Sequence, residues 1–163
     1  MKRFLLFTIM PFMALGVFAQ QSSDYVDLGL PSGTLWKSYN EPGGLYSYDE
    51  AIAKFGNQLP TYEQFAELYS VGDWIFISGG AFKVIGPNGK FIKFTLDGFG
   101  ASYSNGKWNI LNKGYLGSYW TSTQIKKDGY NSTSYVLSCD KPNGIRIHEF
   151  NNLHPLSIRL VKK

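Results

Sequence analysis

Residues 134–150 read SYVLSCDKPNGIRIHEF, which is two short apolar runs separated by an Asn-Gly pair. A two-residue type I′ turn needs positive φ at both central residues, and Asn followed by Gly adopts that conformation with the least strain. The runs Ser134 to Cys139 and Ile145 to Phe150 have the length and composition of strands. This stretch therefore predicts a β-hairpin that turns at Asn143-Gly144.

Similar pairs recur earlier in the chain between short apolar or aromatic runs, at Asn88-Gly89, Asn105-Gly106 and Asp128-Gly129. We predict a hairpin turn at each of them. The other runs with strand composition are Ala81 to Ile85, Phe91 to Leu96, Tyr119 to Thr123 and Leu156 to Val161. The carboxy-terminal two thirds of the chain is therefore predicted to be antiparallel β-structure.

Helices are predicted only in the amino-terminal third, where two capping boxes occur, Ser47 with Glu50 and Thr61 with Gln64. In each box the first side chain binds a free backbone N–H of the first helical turn, and the second binds back to the cap. The expected helices are Tyr48 to Phe55, ending at Gly56, and Tyr62 to Ser70, ending near Gly72.

The apolar residues of these two helices recur with helical spacing. Those predicted to face the core are Ala51, Ile52, Phe55, Phe65, Leu68 and Tyr69. Helices grouped early and strands grouped late indicate an α+β domain rather than an alternating parallel-sheet fold.

The first nineteen residues have the layout of a secretory signal peptide. Lys2 and Arg3 give a positive start, and Phe4 to Phe18 is apolar. Val17-Phe18-Ala19 then supplies small residues where a signal peptidase cuts. A membrane-spanning helix needs about 20 apolar residues, so a cleaved signal is favoured over an anchor. We expect residues 20–163 to form a single domain that is secreted, periplasmic or at the cell surface, without a transmembrane anchor.

Charge and cysteine content bear on two further classes of protein. Lys and Arg total 16 against 12 acidic residues, and loss of Lys2 and Arg3 would lower the net charge from +4 to +2. So small a surplus argues against a nucleic-acid partner. Cys139 is the only cysteine, so no internal disulfide forms, and its apolar neighbours predict a buried side chain rather than a nucleophile.

Motifs for metal binding and catalysis are missing from the sequence. His148 and His154 are six residues apart with Cys139 as the only other soft ligand, which does not support zinc. The Gly-x-Ser-x-Gly motif of serine hydrolases does not occur. The acidic residues offer no particular pair for glycoside hydrolysis. We expect no cofactor, no metal and no enzymatic activity. A carboxylate-based hydrolase ranks third, after the two functions given below, and a cleft with two facing acids would favour it again.

Three segments in order are more specific than any one alone: YVDLGLPSGTLW from Tyr25, LPTYEQFAEL from Leu59 and GYLGSYWTST from Gly114. With the closing segment Ile158 to Val161, they resemble the Fibrobacter succinogenes major paralogous domain, found in exported proteins of gut bacteria of the Bacteroidetes type. The resemblance covers Tyr25 to Val161. It implies a C-type-lectin-like fold, with two short amino-terminal helices packed on antiparallel β-sheet hairpins.

The same resemblance sets expectations about chemistry. Sugar-binding C-type lectins use Glu-Pro-Asn to hold calcium, whereas this chain has Glu41-Pro42-Gly43 and lacks the ligating amide. The related formylglycine-generating enzymes need a pair of cysteines, and Cys139 is single. Trp36, Trp120 and Arg159 are interpreted as scaffold residues, with Arg159 paired or bonded to backbone.

By this resemblance, a recognition surface is expected on late loops and strands, here Ser104 to Lys113 and Ile145 to His154. The mature chain is rich in Tyr, Ser, Gly and Asn, which binding surfaces favour, although strands and tight turns favour them too. Strand alternation places Arg146 and His148 on the outward face. The candidate ligand-binding residues, acting by stacking and amide hydrogen bonds, are Trp108, Asn109, Asn112, Arg146, His148, Asn151 and Asn152.

Two functions from different classes follow. The first is an exported non-catalytic module that recognises a glycan or protein ligand through its late loops. The alternative is a structural or assembly subunit of a surface complex. The segment Tyr25 to Leu30 distinguishes them. A long, exposed and unpaired strand there would favour edge pairing with another chain, and a buried one would favour independent binding.

Overall fold

The computed structural model describes residues 24–163, so the predicted signal peptide lies outside the described residues. The elements in chain order are β1 (Tyr25–Asp27), β2 (Leu35–Lys37), α1 (Tyr48–Phe55), α2 (Tyr62–Val71), β3 (Asp73–Ile77), β4 (Ala81–Ile85), β5 (Phe91–Thr95), β6 (Phe99–Ser104), β7 (Lys107–Leu111), β8 (Leu116–Lys126), β9 (Thr133–Asp140), β10 (Gly144–Asn151) and β11 (Val161–Lys162). This range is mostly β, with two α-helices in its first half, as an α+β fold requires. None of its helices is long and apolar enough to cross a membrane.

The strands form several small antiparallel sheets rather than one large sheet. β1, β2 and β11 form one, β8, β9 and β10 a second, and β3, β4 and β5 a third, while β6 and β7 form a two-stranded ribbon. β8 has β9 on one edge. On its other edge, Gly117 and Tyr119 make parallel bridges to Gly98 and Ser157. β8 therefore lies at the centre of the molecule.

β8 is buried on both of its faces. Tyr119 packs edge-on against Phe94 in one core, with ring centroids 4.9 Å apart. The next residue, Trp120, packs against Tyr48 of α1 in a second core, at 5.3 Å. The prediction that Trp120 belongs to the core is confirmed. The opposite face is equally buried, since Tyr119 and Thr121 are both 0% exposed.

The predicted core strands from residue 81 to residue 150 all form, and β5 ends one residue earlier than expected. The strand predicted over Leu156 to Val161 is wrong, because only Val161–Lys162 forms β11. Leu156 and Ser157 instead make single bridges to Tyr46 and Tyr119, so this segment bonds in turn to the loop after β2 and to β8. Sequence patterns did not indicate β2, β3, β6 or β7.

Only one of the predicted turns is type I′. Asn105 and Gly106 both have positive φ, at 50° and 75°, between β6 and β7. At the three other pairs only the glycine has a positive φ, and the Asn or Asp before it does not. The chain still reverses between β4 and β5 and between β9 and β10, whereas Gly129–Asn131 forms a 3₁₀ turn in a longer connection.

Both capping boxes form as predicted. Ser47 Oγ accepts from the Glu50 N–H, and Thr61 Oγ1 accepts from the Gln64 N–H. α1 has the predicted bounds, and α2 extends one residue further, to Val71.

The predicted core faces of the helices are partly wrong. Ile52 is 36% exposed and Tyr69 is 49% exposed. Each helix is short and buries only a narrow face. In α1 that face consists of Tyr48, Ala51 and Phe55, so Tyr48 is buried and Ile52 is not. α2 buries Phe65 and Leu68 and leaves Tyr69 outside.

Arg159 is fully buried and bonded to backbone, as the sequence predicted. Its Nη1 donates to the Lys37 carbonyl at 2.7 Å, and its Nη2 donates to Asn40 Oδ1 at 2.6 Å and to the Lys93 carbonyl. The guanidinium also lies 4.7 Å from the centroid of the Phe94 ring. One side chain therefore ties together β2, the loop after β2, and β5.

Cys139 is also fully buried, as predicted, and burial raises the pKa of its thiol. Because the thiolate is the reactive form, this residue is structural.

A chain of hydrogen bonds crosses the sheet of β8, β9 and β10. Ser118 Oγ lies 2.9 Å from Ser138 Oγ, which lies 2.9 Å from His148 Nε2. His148 Nδ1 lies 2.9 Å from the Glu149 carbonyl oxygen. Since a carbonyl only accepts, Nδ1 carries a proton, and in the neutral ring Nε2 then accepts from Ser138. His148, predicted to point outward, is half-buried at the end of this chain of hydrogen bonds.

Replacement of Arg159 tests its role in the fold. Arg159→Met leaves two buried carbonyls and the Asn40 amide without a donor, so we expect the free energy of unfolding to fall by about 3–5 kcal/mol. Urea denaturation measures this. Arg146→Met is the matched control, because Arg146 is exposed and its pair with Asp140 is 3.5 Å long. We expect the control to stay within about 0.5 kcal/mol of wild type. An Arg159→Met protein as stable as the control would contradict the account.

The half-buried His148 gives a pH dependence of stability. Its pKa is lowered mainly by burial, against the bond to the Glu149 carbonyl, so the folded state binds fewer protons than the unfolded state near the ordinary pKa of histidine. Stability is therefore full above about pH 6.5 and falls as the pH drops through that value. We expect His148→Gln to lose less stability than wild type between about pH 7.5 and about pH 5.5. Equal losses in urea denaturation would contradict this.

Candidate functional site

A cleft of about 410 Å³ opens between the ribbon of β6 and β7 and the loop that follows β2. Trp108 and Ile110 line it from β7, and Lys113 lines it from the segment after β7. Asn40, Glu41 and Asp97 line it from the opposite side, beside Gly44 and Leu45. The cleft thus has an apolar wall facing a polar one, which is the usual composition of a small-molecule binding site.

The apolar wall is one face of the ribbon. Trp108 pairs with Tyr103 across the two strands, and their rings lie 5.3 Å apart at an interplanar angle of 62°. Ile110 pairs with Gly100 and lies on the same face, two residues from Trp108. Trp108 is 37% exposed and Tyr103 is 62% exposed. The ribbon therefore presents aromatic surface that the rest of the described chain leaves uncovered.

Gly100 anchors the base of this ribbon. Its N–H donates to the Pro155 carbonyl at 3.0 Å, and its own carbonyl lies 2.9 Å from His154 Nδ1. A Cβ added at Gly100 would collide with the Pro155 ring and press on Trp108. Glycine is thus needed for the close approach that sets Trp108 over the cleft.

Asp97 is fixed in the polar wall by three donors on one oxygen. Its Oδ2 accepts from Asn40 Nδ2 at 2.8 Å, from Thr95 Oγ1 at 2.7 Å and from Ser157 Oγ at 3.2 Å. Asn40 in turn accepts from Arg159 through its own Oδ1. The polar wall is therefore an extension of the buried Arg159 network.

Glu41 and Asp97 bring two acids to one cleft, which is the arrangement that would revive the hydrolase hypothesis. Glu41 Oε1 forms an ion pair with Lys37. Glycosidases of the usual kind need one of the two carboxyl groups to give up a proton. In this cleft each acid already accepts hydrogen bonds from the surrounding chain. Both acids are therefore placed as hydrogen-bond acceptors rather than as proton donors.

A serine and histidine pair occurs elsewhere, where Ser138 bonds His148 Nε2. Ser138 is 1% exposed, in the middle strand of its sheet. A nucleophile must reach its substrate, so this pair serves the fold. Among residues 24–163, no three His, Cys, Asp or Glu side chains come together as a metal ion would require.

Of the seven candidate residues, Trp108 alone lines the cleft. Asn109 is the next residue on β7 and faces the other side of the ribbon. Asn112 has a φ of 58°, and its carbonyl accepts from the N–H groups of Tyr115 and Leu116, so it shapes the turn after the ribbon.

The other four candidates lie away from this cleft. Arg146 is exposed, as predicted, and His148 belongs to the chain of hydrogen bonds that includes Ser138. Asn151 donates through Nδ2 to the Tyr130 carbonyl at 3.1 Å and accepts the Leu153 N–H at 2.9 Å, which stabilises its own loop.

Asn152 is 9% exposed, and neither polar atom of its side chain has a partner within the described residues. It lines a separate cavity of about 210 Å³, with Asp49, Gln124 and Lys127.

Sequence reasoning missed Asn40, Glu41 and Asp97 as cleft residues, whereas Ile110 and Lys113 lie within the predicted stretch Ser104 to Lys113 without having been singled out. Glu41 enters the sequence analysis only as a possible calcium ligand, in Glu41-Pro42-Gly43. Asp97 carries no local signal, because its contact with Asn40 joins positions 57 residues apart.

Comparison with known proteins found no similar protein with which this cleft could be compared. No protein-family model matches the chain, and neither the curated proteins nor the solved structures include a match.

Proposed function

We propose that the chain is an exported, non-catalytic binding module that holds a glycan in the cleft beside Trp108. The observation that carries this proposal is an exposed indole on one wall facing an anchored carboxylate on the other. A pyranose ring has an apolar C–H face and a rim of hydroxyl groups. The face would pack on Trp108 and Ile110, and the hydroxyl groups would bond Asp97 and Lys113.

Rigidity supports a binding role for this cleft. The Trp108 wall is tied to the body through Gly100, and Asp97 is held through three hydrogen bonds. A site that is already in its binding geometry loses little conformational entropy when the ligand arrives. The ribbon also lies in the late part of the chain, where the resemblance to C-type-lectin-like domains places recognition.

The first strand bears on the alternative function as an assembly subunit. β1 is only three residues long and is paired with β2 along Tyr25–Asp27. The residues that continue it, Leu28 and Leu30, are 0% and 5% exposed. β1 is the edge strand of its sheet, but three residues offer little edge to another chain, and the residues after it are buried, which favours independent binding.

Substitution of Trp108 tests the proposal. Residues 20–163 are applied to a glycan array, and the ligands found are then titrated against variants. We expect Trp108→Ala to bind at least tenfold more weakly, about 1.4 kcal/mol, because the stacking surface is lost.

Tyr130→Ala is the matched control, since Tyr130 is 80% exposed and does not line the cleft. We expect it to bind as wild type does. Absence of any glycan ligand, or equal binding by Trp108→Ala and wild type, would refute the proposal.

A further inference from the structure

The two oxygens of the Asp97 carboxylate have different roles. Oδ2 receives the hydrogen bonds from Asn40, Thr95 and Ser157. Oδ1 takes part in no hydrogen bond within the described residues. Asp97 lines the cleft, so an acceptor held in a fixed position is left for a ligand. A carboxylate oxygen only accepts, so the matching group on the ligand must be a donor.

Asn40 fixes which way this acceptor is presented. Its Oδ1 accepts from Arg159 at 2.6 Å, so its Nδ2 must face Asp97 and Thr95. Exchanging the two ends of the amide would set an N–H₂ group against a guanidinium, and both only donate. The Tyr119 hydroxyl donates to the Thr95 carbonyl at 2.6 Å and so holds in place one of the residues that bond Asp97. The orientation of Asp97 is thereby determined by the core.

The charges around the cleft favour donors over anions. Glu41 and Asp97 present carboxylate oxygens, and Lys113 is the only cation that lines the cleft. Lys113 is exposed and forms no ion pair with the described residues. It can donate to a hydroxyl or ring oxygen of a sugar. A carboxylate on the ligand would gain Lys113, but it would meet Asp97, which has no ion-pair partner among the described residues, beside Glu41, whose charge Lys37 offsets.

We infer that the cleft selects uncharged, hydroxyl-bearing sugars over acidic sugars, with Asp97 as the specificity-determining acceptor and Asn40 as its positioning residue. This inference rests on the proposed function and names the ligand class for the same cleft. A sugar hydroxyl donates to Asp97 Oδ1 while the ring stacks on Trp108. Lys113 bonds a neighbouring oxygen of the same ring.

The test is calorimetric titration of residues 20–163 with neutral hexasaccharides of glucose, mannose and xylose, and with the hexasaccharide of galacturonic acid. We expect at least one neutral ligand to bind at least tenfold more tightly than the acidic one. Asp97→Asn keeps the shape of the side chain but puts an amide N–H₂ group where the free acceptor was. We expect it to weaken the binding of the neutral ligand about tenfold and to reduce the ratio of neutral to acidic affinity.

Two further variants make the result specific. Glu63→Gln removes the same charge from an exposed position on α2, and we expect wild-type affinity and preference. Asn40→Asp keeps an acceptor for Arg159 but removes the donor to Asp97. We expect it to reduce neutral binding as Asp97→Asn does, while circular dichroism confirms the folded state.

The failures of the two proposals differ. Tighter binding of the galacturonate ligand, with loss of that binding in Trp108→Ala and Lys113→Gln, would overturn this inference and leave the proposed function standing. Neutral binding that is unchanged in Asp97→Asn would also overturn it. Binding that does not depend on Trp108, or no binding of any glycan, would refute the proposed function and this inference together.

Discussion

The fold and its cleft both depend on how the chain accommodates the buried guanidinium of Arg159. Taking such a charge out of water costs several kcal/mol unless its donors are satisfied. The structure satisfies Nη1 and Nη2 with the carbonyls of Lys37 and Lys93 and the side-chain oxygen of Asn40, while Nε has no partner among the described residues. These acceptors come from distant parts of the sequence, so satisfying one cation brings the loop after β2, strand β5 and the carboxy-terminal segment together.

The same constraint reaches the surface through a single amide. Asn40 has its oxygen on Arg159 and its nitrogen on Asp97, so a requirement of the core becomes a fixed acceptor in the cleft. The opposite wall is set by different means, because Trp108 lies on a ribbon anchored at Gly100 and Pro155. Both walls are also tied to one late segment, because Ser157 bonds Asp97 and Pro155 bonds Gly100. The cleft therefore has little freedom to adapt, which favours a ligand of matching shape.

Local signals in the sequence were enough to predict the helices and one turn. Each capping box needs only two residues three positions apart, and Asn105-Gly106 needs only its own backbone preferences. Trp108 could be proposed as a ligand contact because it is an aromatic residue in Ser104 to Lys113, where the family resemblance led us to expect a recognition surface. Asp97 could not, since its partners Asn40 and Ser157 are 57 and 60 residues away along the chain. The burial of β8 on both faces was missed for a similar reason, because its second core is built by α1 and the last segment of the chain.

The most direct test of the account is a nuclear magnetic resonance titration of ¹⁵N-labelled residues 20–163 with a neutral oligosaccharide. The account predicts that the largest shift changes fall on the Trp108 indole N–H, the Asn40 side-chain amide and the backbone N–H of Lys113. Signals from Asn151 and Asn152, which lie away from the cleft, should stay in place. Shifts concentrated at those two residues, with the Trp108 and Asn40 signals unmoved, would contradict the account.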